Sequence, residues 1–140
     1  SDVDGDGDQD LLITGSYLGS QKISNLYTTD GSGNFRLKRI TPFDGVDKGS
    51  VAFSDIDGDG DEDVLITGKS GSSDRISNLY TNEGGIFTLV EDTPFLKVEQ
   101  SCIAFSDIDG DGDEDVLITG SKPTAAKISK LYKNNGSNFG

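Results

Sequence analysis

Aspartates at alternate positions, interrupted by glycine, are the residues of this chain best able to do chemistry. Asp55, Asp57, Asp59, Gly60 and Asp63 spell D-x-D-x-D-G-x-x-D. Asp2, Asp4, Asp6 and Asp10 repeat the pattern, and so do Asp107, Asp109, Asp111 and Asp115. Asp8, Asp61 and Asp113 fill the seventh position. Several carboxylates packed into nine residues repel one another strongly unless a cation sits among them. Calcium takes six to eight hard oxygen ligands at about 2.3–2.6 Å, and carboxylates at loop positions 1, 3, 5 and 9 can supply them. Glycine at position 6 permits the sharp turn, and the backbone carbonyl of position 7 can point inward. The side chains of Asp8, Asp61 and Asp113 are then expected to face solvent. A helical calcium hand would carry Glu at position 12. Here that position is Ile66, which suits a strand-loop-strand site. Two to three Ca²⁺ per chain are expected.

Composition narrows the alternatives. The 140 residues carry a net charge of -13, but 17 of the 25 acids lie in the three clusters. Elsewhere 12 basic side chains face only 8 acids. The chain therefore reads as a mildly basic scaffold holding three acidic loops. Bulk acidity argues against a nucleic-acid partner, and no apolar run suits membrane insertion. With no His and a single Cys, Cys102, a His-based triad and a Cys or His metal cluster are excluded within the chain. Leu, Ile, Val and Phe make up about a quarter of the residues, enough for a packed core.

The loops must be positioned by something that repeats with them. Asp2, Asp55 and Asp107 are spaced by 53 and 52 residues. Leu12-Ile13-Thr14-Gly15 recurs as Leu65-Ile66-Thr67-Gly68 and Leu117-Ile118-Thr119-Gly120. Tyr27, Tyr80 and Tyr132 recur in register, as do Thr41-Pro42-Phe43 and Thr93-Pro94-Phe95. A period near 50 residues marks a repeat architecture. Within one period the spacing predicts four strands: A over 50–55, B over 63–67, C over 75–81 and D over 87–91. Four short strands per unit and no helical period predict an all-β fold of antiparallel propeller blades with the acidic loops between A and B. The chain reads as one repeat domain. Repeat 1 (1–49) lacks strand A, repeat 2 (50–100) is whole, and repeat 3 (101–140) lacks strand D. About 2.7 blades make either a partial ring, part of a longer propeller, or a ring completed by oligomerisation. The repeated Tyr and Phe side chains are expected in the core, and Cys102 is expected as a small buried residue. Lys22, Arg75 and Lys127, at matching positions before strand C, are expected to line a solvated edge.

Asp-Ile-Asp-Gly-Asp-Gly-Asp-Glu-Asp-Val-Leu-Ile-Thr-Gly, followed by a Leu-Tyr strand and an Asn/Gly turn before Phe, resembles the FG-GAP/VCBS repeat family. Those repeats are similar to the blades of the integrin alpha-subunit propeller and of secreted bacterial propellers. The resemblance implies Ca²⁺ held by all fifteen aspartates of the three loops, and an extracellular, secreted or cell-surface location. Since such repeats also occur in enzyme-associated propellers, the family gives no ligand; the expected role is non-enzymatic, in adhesion or in binding a glycan or an extracellular protein. A self-assembling surface or filament protein is the alternative, and the propeller part of a polysaccharide-active enzyme a more distant one.

Overall fold

A computed structural model describes residues 1–140 except Gly19 and Ser137. Among the described residues the regular structure is all β, in three antiparallel sheets. The first sheet holds β1 (Leu11–Tyr17), β2 (Gln21–Thr29) and β3 (Phe35–Leu37) in sequential order. The second holds β4 (Asp47–Ser54), β5 (Asp63–Ser70), β6 (Asp74–Glu83) and β7 (Ile86–Leu89). The third holds β8 (Glu99–Ser106), β9 (Asp115–Ser121) and β10 (Lys127–Tyr132). These are propeller-like blades 1, 2 and 3, and they do not close a ring. Each predicted strand is present, most of them longer than the apolar pattern marks. Polar side chains and glycines extend β5 and β6 into the hairpin at 71–73, because ladder hydrogen bonds do not require apolar residues. At the far end of blade 3, Asn134 bridges Phe139, and the backbones of Lys133 and Gly140 exchange hydrogen bonds of 2.9 and 2.8 Å.

The core lies between blades rather than within one. Leu12 and Leu26 of blade 1 meet Val64, Ile66, Tyr80 and Phe87 of blade 2. One repeat further on, Leu65 and Leu79 of blade 2 meet Val116, Ile118 and Tyr132 of blade 3. The two clusters correspond residue for residue, so a single interface is used twice. β5 follows from this: it is apolar on both faces because both faces are covered, and Val64, Leu65 and Ile66 are fully buried. Each such side chain stabilises the fold by roughly 1.5–3 kcal/mol.

The segment between blades supplies the aromatic part. Phe43 packs edge-on against Tyr80 and Phe87 at ring-centroid distances of 5.0 and 4.9 Å. Phe95 repeats the arrangement with Tyr132 and Phe139 at 5.0 and 4.9 Å. Tyr80 and Tyr132 are buried, as core aromatics should be, while Tyr27 is only half-buried. Gly68 in β5 marks a close approach: a Cβ there would lie 2.9 Å from the Asp47 carbonyl oxygen and 3.0 Å from the Gly49 Cα.

Two expectations need correction. Cys102 is exposed, because strand alternation places it on the outward face of β8 with Ala104. Of the three basic residues before the C strands, Lys127 is exposed as a solvated edge requires, whereas Lys22 and Arg75 are half-buried. Lys22 pairs with Asp47 at 3.2 Å and donates to the carbonyls of Lys69 and Gly71, tying blade 1 to blade 2. Arg75 pairs with Glu99, tying blade 2 to blade 3. Lys127 stays within its own blade, on Ser121 and Gln100.

Candidate metal centres

All three acidic loops adopt one conformation. Gly5, Gly58 and Gly110 have φ between 74 and 78°, and Gly7, Gly60 and Gly112 between 94 and 97°. This left-handed backbone favours glycine, and it turns both N–H groups toward the first aspartate of the loop. The Asp55 carboxylate accepts from Gly58 at 2.8 Å and from Gly60 at 3.0 Å. Asp2 and Asp107 do the same with their own glycines. The fifth position follows suit: Asp6, Asp59 and Asp111 each accept the N–H of the residue two further on, at 2.8–3.0 Å.

The ninth position closes the loop. Asp63 is fully buried. One of its oxygens accepts from Ile56 N–H at 2.9 Å and the other from Asn82 N–H at 2.8 Å. Asp10 holds Val3 and Thr29 in the same way, and Asp115 holds Ile108 and Asn134. Each oxygen keeps a second lone pair. This carboxylate therefore pins the loop to the end of the predicted C strand of its blade while remaining able to face a cation.

The carboxylates converge. In loop 1, Asp2, Asp4 and Asp6 place oxygens within 4.8 Å of one another. In loop 3, Asp107, Asp109 and Asp111 do so. In loop 2 the group is Asp55, Asp57 and Asp63, and Asp59 is near enough to act on Asp57 and Asp63. Oxygens sharing one Ca²⁺ lie at most about 5 Å apart, twice the metal–oxygen distance, so the spacing fits. The donors are all hard carboxylate oxygens, which suit Ca²⁺. The buried Asp4 Oδ1 has no hydrogen-bond partner, as an atom reserved for a metal would. Electrostatics agree. Burial, and then Asp10 and Asp6, push the Asp4 carboxyl up. Burial and then Asp59 push Asp57 up. Burial above all pushes Asp63 up to about 6. A cation would relieve all three.

Of the fifteen predicted ligands, Asp10, Asp59 and Asp115 lie outside these groups, as do Asp8, Asp61 and Asp113, and the side chains of the last three do not simply face solvent. Asp61 accepts the Gly84 N–H at 2.7 Å. The Asp8 and Asp113 carboxylates lie against Gly31 and Gly136, the equivalent turn glycines of their own blades. That turn folds down over the loop, and a side chain there would collide with the Asp8 carboxylate.

Sequence reasoning missed the side chains that join one centre to the next. Asn82 Nδ2 donates to the Val3 carbonyl in loop 1 at 2.9 Å and to the Glu62 carbonyl at 3.1 Å. Asn134 Nδ2 donates to the Ile56 carbonyl in loop 2 at 2.9 Å. Both asparagines are buried, and each fastens its blade to the loop of the blade before. Their alignment with each other, and with Thr29 in blade 1, was the available signal. Loop 3 differs again. Lys133 pairs with Asp109 at 2.7 Å and holds that carboxyl below its ordinary range.

The profile of the FG-GAP-like repeat matches residues 2–66 and 55–118, so that each match runs from one acidic loop into the next. The chain belongs to the FG-GAP-like repeat family. No curated protein and no solved structure matches it significantly. FG-GAP-like repeats are found in extracellular propeller modules that adhere or bind ligands, and they commonly bind calcium. No helix among the described residues is long and apolar enough to cross a membrane.

Proposed function

We propose that this chain is a calcium-stabilised, non-enzymatic β-propeller module acting outside the cell, in adhesion or in binding a glycan or protein. One observation carries the reading: three loops of identical backbone each bring three carboxylates within 4.8 Å of one another. Ca²⁺ in each loop cancels the mutual repulsion and locks the strand-loop-strand hairpin. The ninth aspartate then transmits that order to the predicted C strand, and Asn82 and Asn134 pass it to the neighbouring blade. The family's extracellular settings support the location, since millimolar calcium there keeps weak sites filled. The carboxylates dense enough for acid-base work are the ones engaged by the loops, which favours binding over catalysis. Isothermal titration of the calcium-stripped chain with Ca²⁺ tests the reading. Two to three bound ions and a raised thermal midpoint are expected. No heat and an unchanged midpoint would sink it.

A second reading, self-assembly, rests on the two ends of the array. Leu11, Ile13 and Phe35 of blade 1 are exposed, although their counterparts Val64, Ile66 and Phe87 bury against a neighbour. Ile108, Leu117 and Leu131 of blade 3 are exposed, although their counterparts Ile56, Leu65 and Leu79 are buried. The two end faces are thus the two halves of the interface already used twice. Native mass spectrometry in Ca²⁺ is expected to show discrete oligomers if copies join head to tail, and a monomer at all concentrations would discard this reading.

A further inference from the structure

The two grooves between blades are built alike but finished differently. At the first, the Lys38 N–H donates to the Leu26 carbonyl at 2.8 Å. At the second, the Val90 N–H donates to the Leu79 carbonyl at 2.9 Å. Tyr27 pairs with Leu37 and Tyr80 pairs with Leu89, so Lys38 and Val90 hold equivalent positions.

In the first groove the chain supplies its own occupant. The Lys38 ammonium crosses to blade 2 and donates to the Gly85 carbonyl. It lies against Gly85 together with the backbone and Cβ of Asp4. In the second groove Val90 is too short to cross. A cavity of about 270 Å³ remains there, walled by Leu79, Val90 and Phe139 and rimmed by Asp57, Glu91 and Asp92. Charge has changed sign with length: Lys38-Arg39-Ile40 stands at the first groove where Val90-Glu91-Asp92 stands at the second.

We propose that the groove between blades 2 and 3 binds a lysine side chain of a partner protein, which fills from outside the space that Lys38 crosses between blades 1 and 2. The apolar wall takes the four-carbon stem, and Glu91 and Asp92 face the ammonium. Lysine matches this division better than arginine does, because a compact point charge on a long flexible stem needs no planar two-pronged acceptor. The uncharged wall favours a tethered alkylammonium over a free metal ion, whose ligands are hard oxygens throughout. The proposal goes beyond the calcium reading and does not require it.

The test is an amide NMR titration of the calcium-saturated chain at fixed ionic strength. The probe is acetyl-Gly-Lys-Gly-amide, compared with the same peptide carrying Gln or norleucine in place of Lys. The lysine peptide should shift the amides of Val90, Asp92 and Phe139 and bind at least fivefold more tightly than either control. Val90→Lys should fill the groove from within and weaken binding at least tenfold. Glu91→Gln with Asp92→Asn leaves the exposed turn intact, since Asn tolerates the left-handed backbone of Asp92 (φ 58°). That pair should weaken binding at least fivefold. Equal affinity for the norleucine peptide, shifts confined to the aspartate loops, or indifference to both sets of variants would each overturn the proposal. Calcium stoichiometry, measured on the same samples, separates this outcome from failure of the metal sites.

Discussion

Blade 2 and blade 3 carry nearly the same sequence and live in different surroundings. Leu65 and Ile56 are buried in blade 2, whereas Leu117 is 37% and Ile108 57% exposed in blade 3. The Ile56 carbonyl receives Asn134, the grip that one blade takes on the loop of the blade before. A blade is thus completed by its neighbour: identical residues contribute differently according to whether the next sheet is present. That is the one-dimensional energetics of a repeat array, in which stability is a sum of unit and interface terms.

Calcium removal should sharpen the contrast most. Each filled site stabilises by about 2.7 kcal/mol when Ca²⁺ stands at a hundred times its dissociation constant. Loop 3 should empty first during chelator titration, because Lys133 competes for Asp109. Calcium-sensitive amide shifts at Gly60 and Gly112 would check the order, and simultaneous release would break the comparison. Leu65→Ala should cost roughly 2–5 kcal/mol, the usual range for a buried leucine, and Leu117→Ala less than half as much, read from denaturant midpoints. Similar losses at both positions would mean that blade 3 is covered in solution, as assembly requires.

Hydrogen bonds come next. Asn134→Ala leaves the Ile56 carbonyl unpartnered and should cost about 1–3 kcal/mol. The same change at Asn82 should lower calcium affinity in loops 1 and 2 together. The pH dependence of the calcium-free chain is of similar size. Folding raises the Asp63 carboxyl to about 6, against about 3.9 in an unfolded chain. The folded state therefore holds a proton that the unfolded state has released, and its stabilising effect is full below about pH 4 and lost as pH rises through about 6. The thermal midpoint should fall across that window by roughly 1–3 kcal/mol equivalent, and saturating Ca²⁺ should move the fall to lower pH. The smallest effect belongs to Lys133→Ala. Its ion pair is exposed and contributes little to stability, so the midpoint should barely change while loop 3 binds Ca²⁺ more tightly.

Most of the fold was legible because the period was. Leu-Ile-Thr-Gly recurring with Asp-x-Asp-x-Asp-Gly fixes strand, loop and strand without any propensity argument. The loop geometry was legible for the same reason: Gly58 and Gly60 can hardly serve another purpose at that spacing. Side chains whose partners lie in another blade were not legible. Asn82 and Asn134 read as turn residues until the Val3 and Ile56 carbonyls appear beside them. Asp61 read as solvent-facing because a pattern in one strand does not reveal the turn that folds over it. Cys102 aligns with the half-buried Ser50, but its place on the outward face of β8 depends on tertiary surroundings. The difference between Lys38 and Val90 was visible as letters, and it gained meaning only once both were seen to occupy one place in two grooves.

The asparagine that grips the preceding loop also gives the array a way to bear load. A pull that separates two blades must draw Asn82 from a carbonyl in a loop braced by its own carboxylates, so tension on the scaffold reaches the ion sites directly. A cation bound there would act as a rivet: filled, the site would make the joint stiff; stripped, it would let the same joint yield before the apolar layer parts. A surface module built this way would change its mechanical strength with the calcium content of the fluid around it, without exchanging a residue or altering its shape.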